Sequence, residues 1–268
     1  MCNFALKHKH ILHNMIPKII HYCWFGRNPL PESAVKCIDS WKKFFPDYEI
    51  KEWNEENFDV NIIPYTKEAY GAKKYAFVSD YARFWILYHH GGLYFDTDVE
   101  VIKSMDHIIK RGPFMGIEKL NHNISDVSTS SLVAPGLGLS SSIGHPIYAE
   151  ILKYYESLHW CDSNGQQLPG TVVHHTTDIL ERYGYQKQDV EQEIDGIVIY
   201  PSEVFCPMDS TTGLIDITEK TVSIHWYSCS WIDHNSMRFK LHLLKNWFVG
   251  VFGDWWLNLL YNCLKKMK

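Results

Sequence analysis

From Ile16 to Phe25 the chain is apolar at nearly every position, which predicts a strand covered on both faces. Pro17 sits at its start, where a missing N–H is tolerated. Between Ser33 and Phe45 the apolar positions Val35, Ile38, Trp41 and Phe45 recur at helical spacing. Lys42 and Lys43 fall on the outer face, and Pro46 stops the helix. Tyr48–Trp53 alternates as a second strand closed by Asn54, and residues 57–74 read as short helices and surface loop. Strand, helix, strand is a βαβ progression and implies a parallel sheet.

The next stretch, Tyr75 to Glu100, organises the rest. Its first half holds no Gly or Pro, and Phe77, Tyr81, Ala82, Phe84, Trp85, Ile86, Leu87 and Tyr88 make an almost wholly buried helix. Gly91-Gly92 ends it, because glycine takes a positive φ without a Cβ clash. Leu93-Tyr94-Phe95 is then a short buried strand that runs into Asp96-Thr97-Asp98. Two carboxylates one residue apart at a strand end repel each other, and a divalent cation removes that cost. Asp80 and Arg83, three apart on the apolar helix, share a face that would meet the Asp96/Asp98 end of the sheet; a plain intrahelical ion pair is the alternative.

Further on, Val99 and Val101 continue a strand, Met105–Ile109 forms a turn of helix and Phe114–Ile117 another strand. Leu120 to Ser131 is polar, with Asn, His, Ser and Thr, and reads as a loop. A small-residue segment, Ser131 to Leu139, leads to a Gly144-His145-Pro146 turn. The helices Pro146–His159 and Val172–Tyr183 follow, then the strands Ile197–Tyr200 and Thr221–Trp226. The stretch from Lys245 carries Asn246, Gly250, Asp254, Asn258 and Asn262 four apart, and ends in Lys265, Lys266 and Lys268. Asp254 interrupts its apolar run, which argues against a membrane span. Lying on anionic lipid, or packing on the core or a second copy, are the alternatives.

With 268 residues, the chain is long enough for one full core and an appendage, divided as a leader (1–15), a main domain (16–235) and a helical tail (236–268). A net charge of -5 without a basic stripe argues against nucleic acid. The seven cysteines lack metal spacing and suit a reducing compartment. Residues 1–15 lack the apolar core of a secretory signal, so the expected place is the cytoplasm, peripheral to the inner membrane face if the tail binds lipid.

The run SDYARFWILYHHGGLYFDTDVE resembles the signature of the DXD-containing sugar-transferring glycosyltransferases (family 32), whose pattern is D-x-x-R followed by G-G-x-Y-x-D-x-D. Ile16-Pro17-Lys18-Ile19-Ile20-His21 resembles the same family's opening strand. The resemblance implies a GT-A-like (Rossmann-type) α/β domain with a mostly parallel central sheet. It further implies Mn²⁺ or Mg²⁺ held by Asp98, His225 and Asp96. The donor, a nucleotide-sugar, would lie against Trp24, Phe25, Ser79, Asp80, Arg83, Tyr94, Asp96 and Trp231, with Asp80, Arg83, Asp96 and Asp98 as the catalytic set. It implies retention at the anomeric carbon, a glycan or lipid-linked acceptor, and a bacterial surface-polysaccharide setting (capsule or lipopolysaccharide) that favours UDP-sugars over GDP-mannose. A carbohydrate-binding protein without catalysis and a metal-dependent phosphoester hydrolase are the rival readings.

Overall fold

The computed structural model describes residues 16–118, 131–210 and 213–228. The leader, most of the polar loop, Trp231 and the tail lie outside them. Along the chain run β1 (Ile19–Cys23), α1 (Glu32–Phe44), β2 (Glu49–Trp53), α2 (Pro64–Gly71), α3 (Tyr75–His90), β3 (Gly92–Tyr94), β4 (Val99–Val101), α4 (Asp106–Ile109) and β5 (Phe114–Gly116). After a 3₁₀ turn (Pro135–Leu137) come β6 (Leu139–Ser141), α5 (Pro146–Glu156), α6 (Val172–Arg182), β7 (Gln192–Ile194), β8 (Ile197–Tyr200), α7 (Ser202–Phe205) and β9 (Ser223–His225).

Seven strands form one sheet in the order β2-β1-β3-β6-β5-β8-β7, while β4 and β9 pair separately as an antiparallel ribbon. Following the pairings across the sheet, β2, β1, β3, β5 and β8 run one way and β6 and β7 the other. The expected mostly parallel α/β sheet is therefore present.

Both faces of the sheet are covered, which explains the unbroken apolar strands. Ile20, Tyr22, Leu93, Phe114 and Val198 pack on one side with Trp41 of α1, Val99 and Val101 of β4, and Phe205 of α7. Cys23, Tyr94, Met115, Ile197 and Ile199 pack on the other with α3, α5 and α6. The chain leaves β1 through α1 on the first side and reaches β3 through α3 on the second. The two strands lie parallel in register Ile20↔Leu93 and His21↔Tyr94. Their shared end is a topological switch point, where open α/β sheets form a ligand crevice.

The two sequence blocks singled out above grip each other here. His21 is fully buried, its Nδ1 accepting the Trp53 indole N–H at 3.0 Å. Indole only donates, so the proton sits on Nε2, which donates to Gly91 O at 3.0 Å. Burial pushes the His21 pKa down to about 4, so the ring is neutral near pH 7. Gly91 and Gly92 adopt φ of 63° and 98°, and a Cβ on Gly92 would press on Ile19 O and His21 Nε2.

Three expectations shift. Val35 is 41% exposed, because the buried stripe of α1 is Ala34, Cys37, Ile38 and Trp41, one position out of phase with it. β6, with its two buried serines, was not legible as a strand; Ser140 Oγ accepts the Phe114 N–H at 3.1 Å. β7 was also missed, although Asp195 and Gly196 turn it into β8 with φ of 48° and 84°, the two-residue hairpin that an Asp-Gly pair signals. Among the described residues no helix is long and apolar enough to cross a membrane.

Candidate active site

The site grows from the one charged face of α3. Asp80 and Arg83 are 7% and 3% exposed within a helix whose other inward positions are apolar. Such a pair persists only when each charge is answered. Arg83 Nη2 donates to Asp80 Oδ1 at 3.1 Å, Nη1 to Asp96 Oδ2 at 3.3 Å and Nε to Ser79 O at 3.0 Å. The guanidinium also lies 5.1 Å from the centre of the Tyr94 ring, whose hydroxyl donates to Asp96 Oδ1 at 3.1 Å. Both the intrahelical pair and the reach to the strand end are thus realised. One guanidinium serves two carboxylates.

Burial pushes Asp80 up to about 7; Arg83 opposes the shift and the Asp96 charge adds to it. Asp96 is also raised, by burial first and against the pull of Arg83. Behind it stands Gly136, where a Cβ would collide with Asp96 Oδ2 and reach within 3.5 Å of Arg83 Nη1. The absence of a side chain there makes room for the ion pair. Sequence reading had marked this segment only as small-residue.

Asp98 belongs to a different neighbourhood. α1 fixes β4 in place: the Trp41 indole donates to Val99 O at 2.8 Å, and Ser40 Oγ accepts the Val101 N–H at 2.9 Å. β4 then pairs Val99 with His225. This brings His225 Nε2 to 3.2 Å from Asp98 Oδ1, while Ser228 donates both its N–H and its hydroxyl to Asp98 Oδ2 at 2.9 Å. Burial works against the Asp98 charge, but the imidazole and the Ser228 donors outweigh it and hold the carboxyl well below its usual range. Burial likewise opposes charge on His225, yet Asp98, Asp96 and Glu118 prevail and raise its pKa. His225 Nδ1 is buried without a hydrogen-bond partner among the described residues.

Other expected contacts divide. Trp24, half-buried at the tip of β1, donates its indole N–H to Asn28 O at 2.7 Å. Phe25 is 5% exposed and packs on Phe58 at 5.8 Å between centroids. Ser79 contributes through its carbonyl to Arg83, its hydroxyl donating back to Tyr75 O at 3.3 Å. Glu118, which closes β5 and helps raise His225, was missed; an acidic residue ending an apolar parallel strand was the available signal.

Among the described residues no three His, Cys, Asp or Glu side chains converge as a metal cage. A magnesium-like ion does not need one, since it is commonly held by one or two carboxylates together with substrate phosphates. An ionised Asp98 with the imidazole Nε2 of His225 3.2 Å from its Oδ1 is a donor set that fits Mn²⁺ or Mg²⁺.

Residues 31–115 match the family described as "glycosyltransferase sugar-binding region containing DXD motif". An inositol phosphoceramide mannosyltransferase of Schizosaccharomyces pombe is 35% identical over 98 residues, which is 35% of this chain and 27% of that protein. A mannosyl phosphorylinositol ceramide synthase of Saccharomyces cerevisiae is 29% identical over 52% of this chain and 35% of its own length. The chain thus matches about a third of the length of these relatives. Among solved structures, the PaToxG glycosyltransferase is 18% identical, covering 67% of this chain and 76% of its own, with a TM-score of 0.45. Over residues 31–115 the chain is thus similar to a glycosyltransferase sugar-binding region with a DXD motif, and its own D-x-D within that stretch is Asp96-Thr97-Asp98.

Proposed function

We propose that the protein transfers a hexose from a nucleotide-sugar to an acceptor hydroxyl, with Asp98 and His225 holding Mn²⁺ or Mg²⁺. The observation that carries this reading is the division of the DXD carboxylates between two partners. Asp96 is bound to Arg83 and Tyr94, and Asp98 to His225 and Ser228. The bound ion supplies charge neutralisation for the departing nucleoside diphosphate. Asp98, kept ionised, presents a full charge for that purpose, and the Ser228 donors fix its orientation. Arg83 locks Asp96 and Asp80 at the crevice, where the remaining lone pairs of their oxygens accept hydroxyls of the sugar and ribose. Trp24 offers an aromatic face at the end of β1 for the base. Retention through a front-face displacement belongs to this reading.

The preference for UDP-sugars and for a bacterial polysaccharide rested on bacterial relatives. The relatives reported above come from two yeasts, and their names specify mannosyl transfer to inositol phosphoceramide. Mannose therefore joins the candidate sugars, and a lipid-linked acceptor joins glycans. A lipid acceptor suits a tail that lies on anionic membrane from the cytoplasmic side. Flotation with anionic liposomes, with and without residues from Asn246 onward, tests that part.

The test of function is nucleoside diphosphate release from UDP-glucose, UDP-galactose and GDP-mannose with Mn²⁺, with the product anomer read by NMR. Release that requires Mn²⁺ and disappears in Asp98→Asn supports transfer. Cleavage of simple phosphoesters without use of any nucleotide-sugar would favour the hydrolase, and sugar binding without turnover the lectin-like reading.

A further inference from the structure

Tyr227 stands between His225 and Ser228 and takes no part in the chemistry assigned above. Its backbone has φ of 47°, in the left-handed region that bulky residues avoid. A residue stays there only when its surroundings hold it. Three contacts do so. Its hydroxyl donates to Glu118 Oε1 at 3.3 Å, and the Cys206 Sγ lies 3.0 Å from the Tyr227 hydroxyl oxygen. Its ring meets the His225 ring edge-on, with centroids 4.3 Å apart.

These partners come from separate elements. Glu118 follows the central strand β5, Cys206 follows α7, and Tyr227 follows the ribbon strand β9. The left-handed turn at Tyr227 reverses the chain so that Ser228, the next residue, returns its N–H and hydroxyl to Asp98. Without that turn the chain would run on past the carboxylate. The ring contact meanwhile limits the rotation of His225.

We propose that Glu118, with Cys206, latches Tyr227 in its left-handed turn, making Glu118 and Tyr227 positioning residues for the Asp98–His225 pair. The inference rests on the metal-dependent reading above. It assigns Glu118 a task distinct from ligation: its oxygen is needed as an acceptor for a hydroxyl, and its charge is secondary.

The experiment measures Mn²⁺ binding alone, by electron paramagnetic resonance of the free ion, in the full chain. Tyr227→Phe keeps the ring and removes both hydroxyl contacts. It should weaken Mn²⁺ about 10- to 100-fold, the scale for losing a group that orients a ligand. Glu118→Ala should do the same, and the double variant should be no weaker than either single one. Glu118→Gln retains an oxygen acceptor and should bind close to wild type. Thermal midpoints near wild type show that the loss is local; if Tyr227→Phe does not fold, the Glu118→Ala and Glu118→Gln pair decides. Variants that bind Mn²⁺ as wild type does, additive losses, or a Glu118→Gln as weak as Glu118→Ala would overturn the latch alone. A wild-type protein that binds no Mn²⁺ overturns the latch and the metal reading together. Wild-type binding with no nucleotide-sugar turnover removes only the proposed reaction.

Discussion

Asp96 and Asp98 are two residues apart and live under opposite regimes. Asp96 leans on a permanent cation, the Arg83 guanidinium, in a setting where burial still raises its pKa. Asp98 leans on a titratable ring and on a serine, and is held strongly ionised. Arginine does not deprotonate in proteins and cannot leave its two carboxylates without stranding them. Histidine exchanges a proton for a metal within the ordinary pH range. The first aspartate is thus built into the architecture, and the second is left available for exchange. A motif that reads as two equivalent letters thus sets one carboxylate on an arginine and the other on a histidine.

The largest expected effects separate these roles. Arg83→Met leaves Asp80 and Asp96 buried without their cation and should cost about 3–5 kcal/mol of stability, read by denaturant unfolding. Asp98→Asn keeps an oxygen acceptor for Ser228 and leaves a histidine that can shed its proton, so it should cost less stability than Arg83→Met while cutting Mn²⁺-dependent nucleoside diphosphate release about 100-fold or more. Equal stability losses in both variants would erase the distinction.

Next comes the support beneath the crevice. The His21 pKa is lowered to about 4 from its ordinary 6.5, so the folded state binds this proton less readily than the unfolded state. Its contribution is whole above pH 6.5 and is lost as pH falls toward 4, by about 3 kcal/mol at 1.36 kcal/mol per unit. The stability of wild type should fall more steeply over that window than that of His21→Asn. Parallel curves would remove the neutral His21 from the account.

Gly136→Ala should cost about 1–3 kcal/mol by overpacking. Because φ at Gly136 is not positive, the loss comes from displaced Asp96 and should appear also as a higher donor KM. An unchanged KM would mean that Asp96 yields without consequence. Trp24→Ala should leave stability nearly unchanged and weaken UDP or GDP binding by about 1–3 kcal/mol in calorimetry. No change there returns Trp24 to a purely packing role.

The sequence made the first half of this site readable because helix α3, Gly91-Gly92 and strand β3 each carry a local signal: buried periodicity, positive φ and an apolar run. Asp80, Arg83 and Asp96 are placed by those elements alone, whereas Asp98 is held by β4, His225 and Ser228. Gly136, Glu118 and Tyr227 carry no such mark. Gly136 matters through a side chain it lacks, Glu118 through a hydroxyl on another segment, and Tyr227 through a backbone angle that its residue type disfavours. Phe25, two residues past the end of β1, packs with Phe58 in the core on the α3 side of the sheet. β6 stayed hidden because its two serines are satisfied inside the sheet, where an apolar pattern is the usual signal.

The pairing of β4 with β9 has a consequence for synthesis. Asp98 and Ser228 are separated by 130 residues, so at 5–20 residues per second the ribosome needs on the order of ten seconds to supply the second after the first. Throughout that interval β1, β2, α3 and β3 can assemble around Arg83 with the motif half furnished. The emerging protein can therefore form the crevice beside β1 and β3 before it can complete the corner around Asp98, and premature chains ending short of β9 would carry Asp96-Thr97-Asp98 without His225 and Ser228.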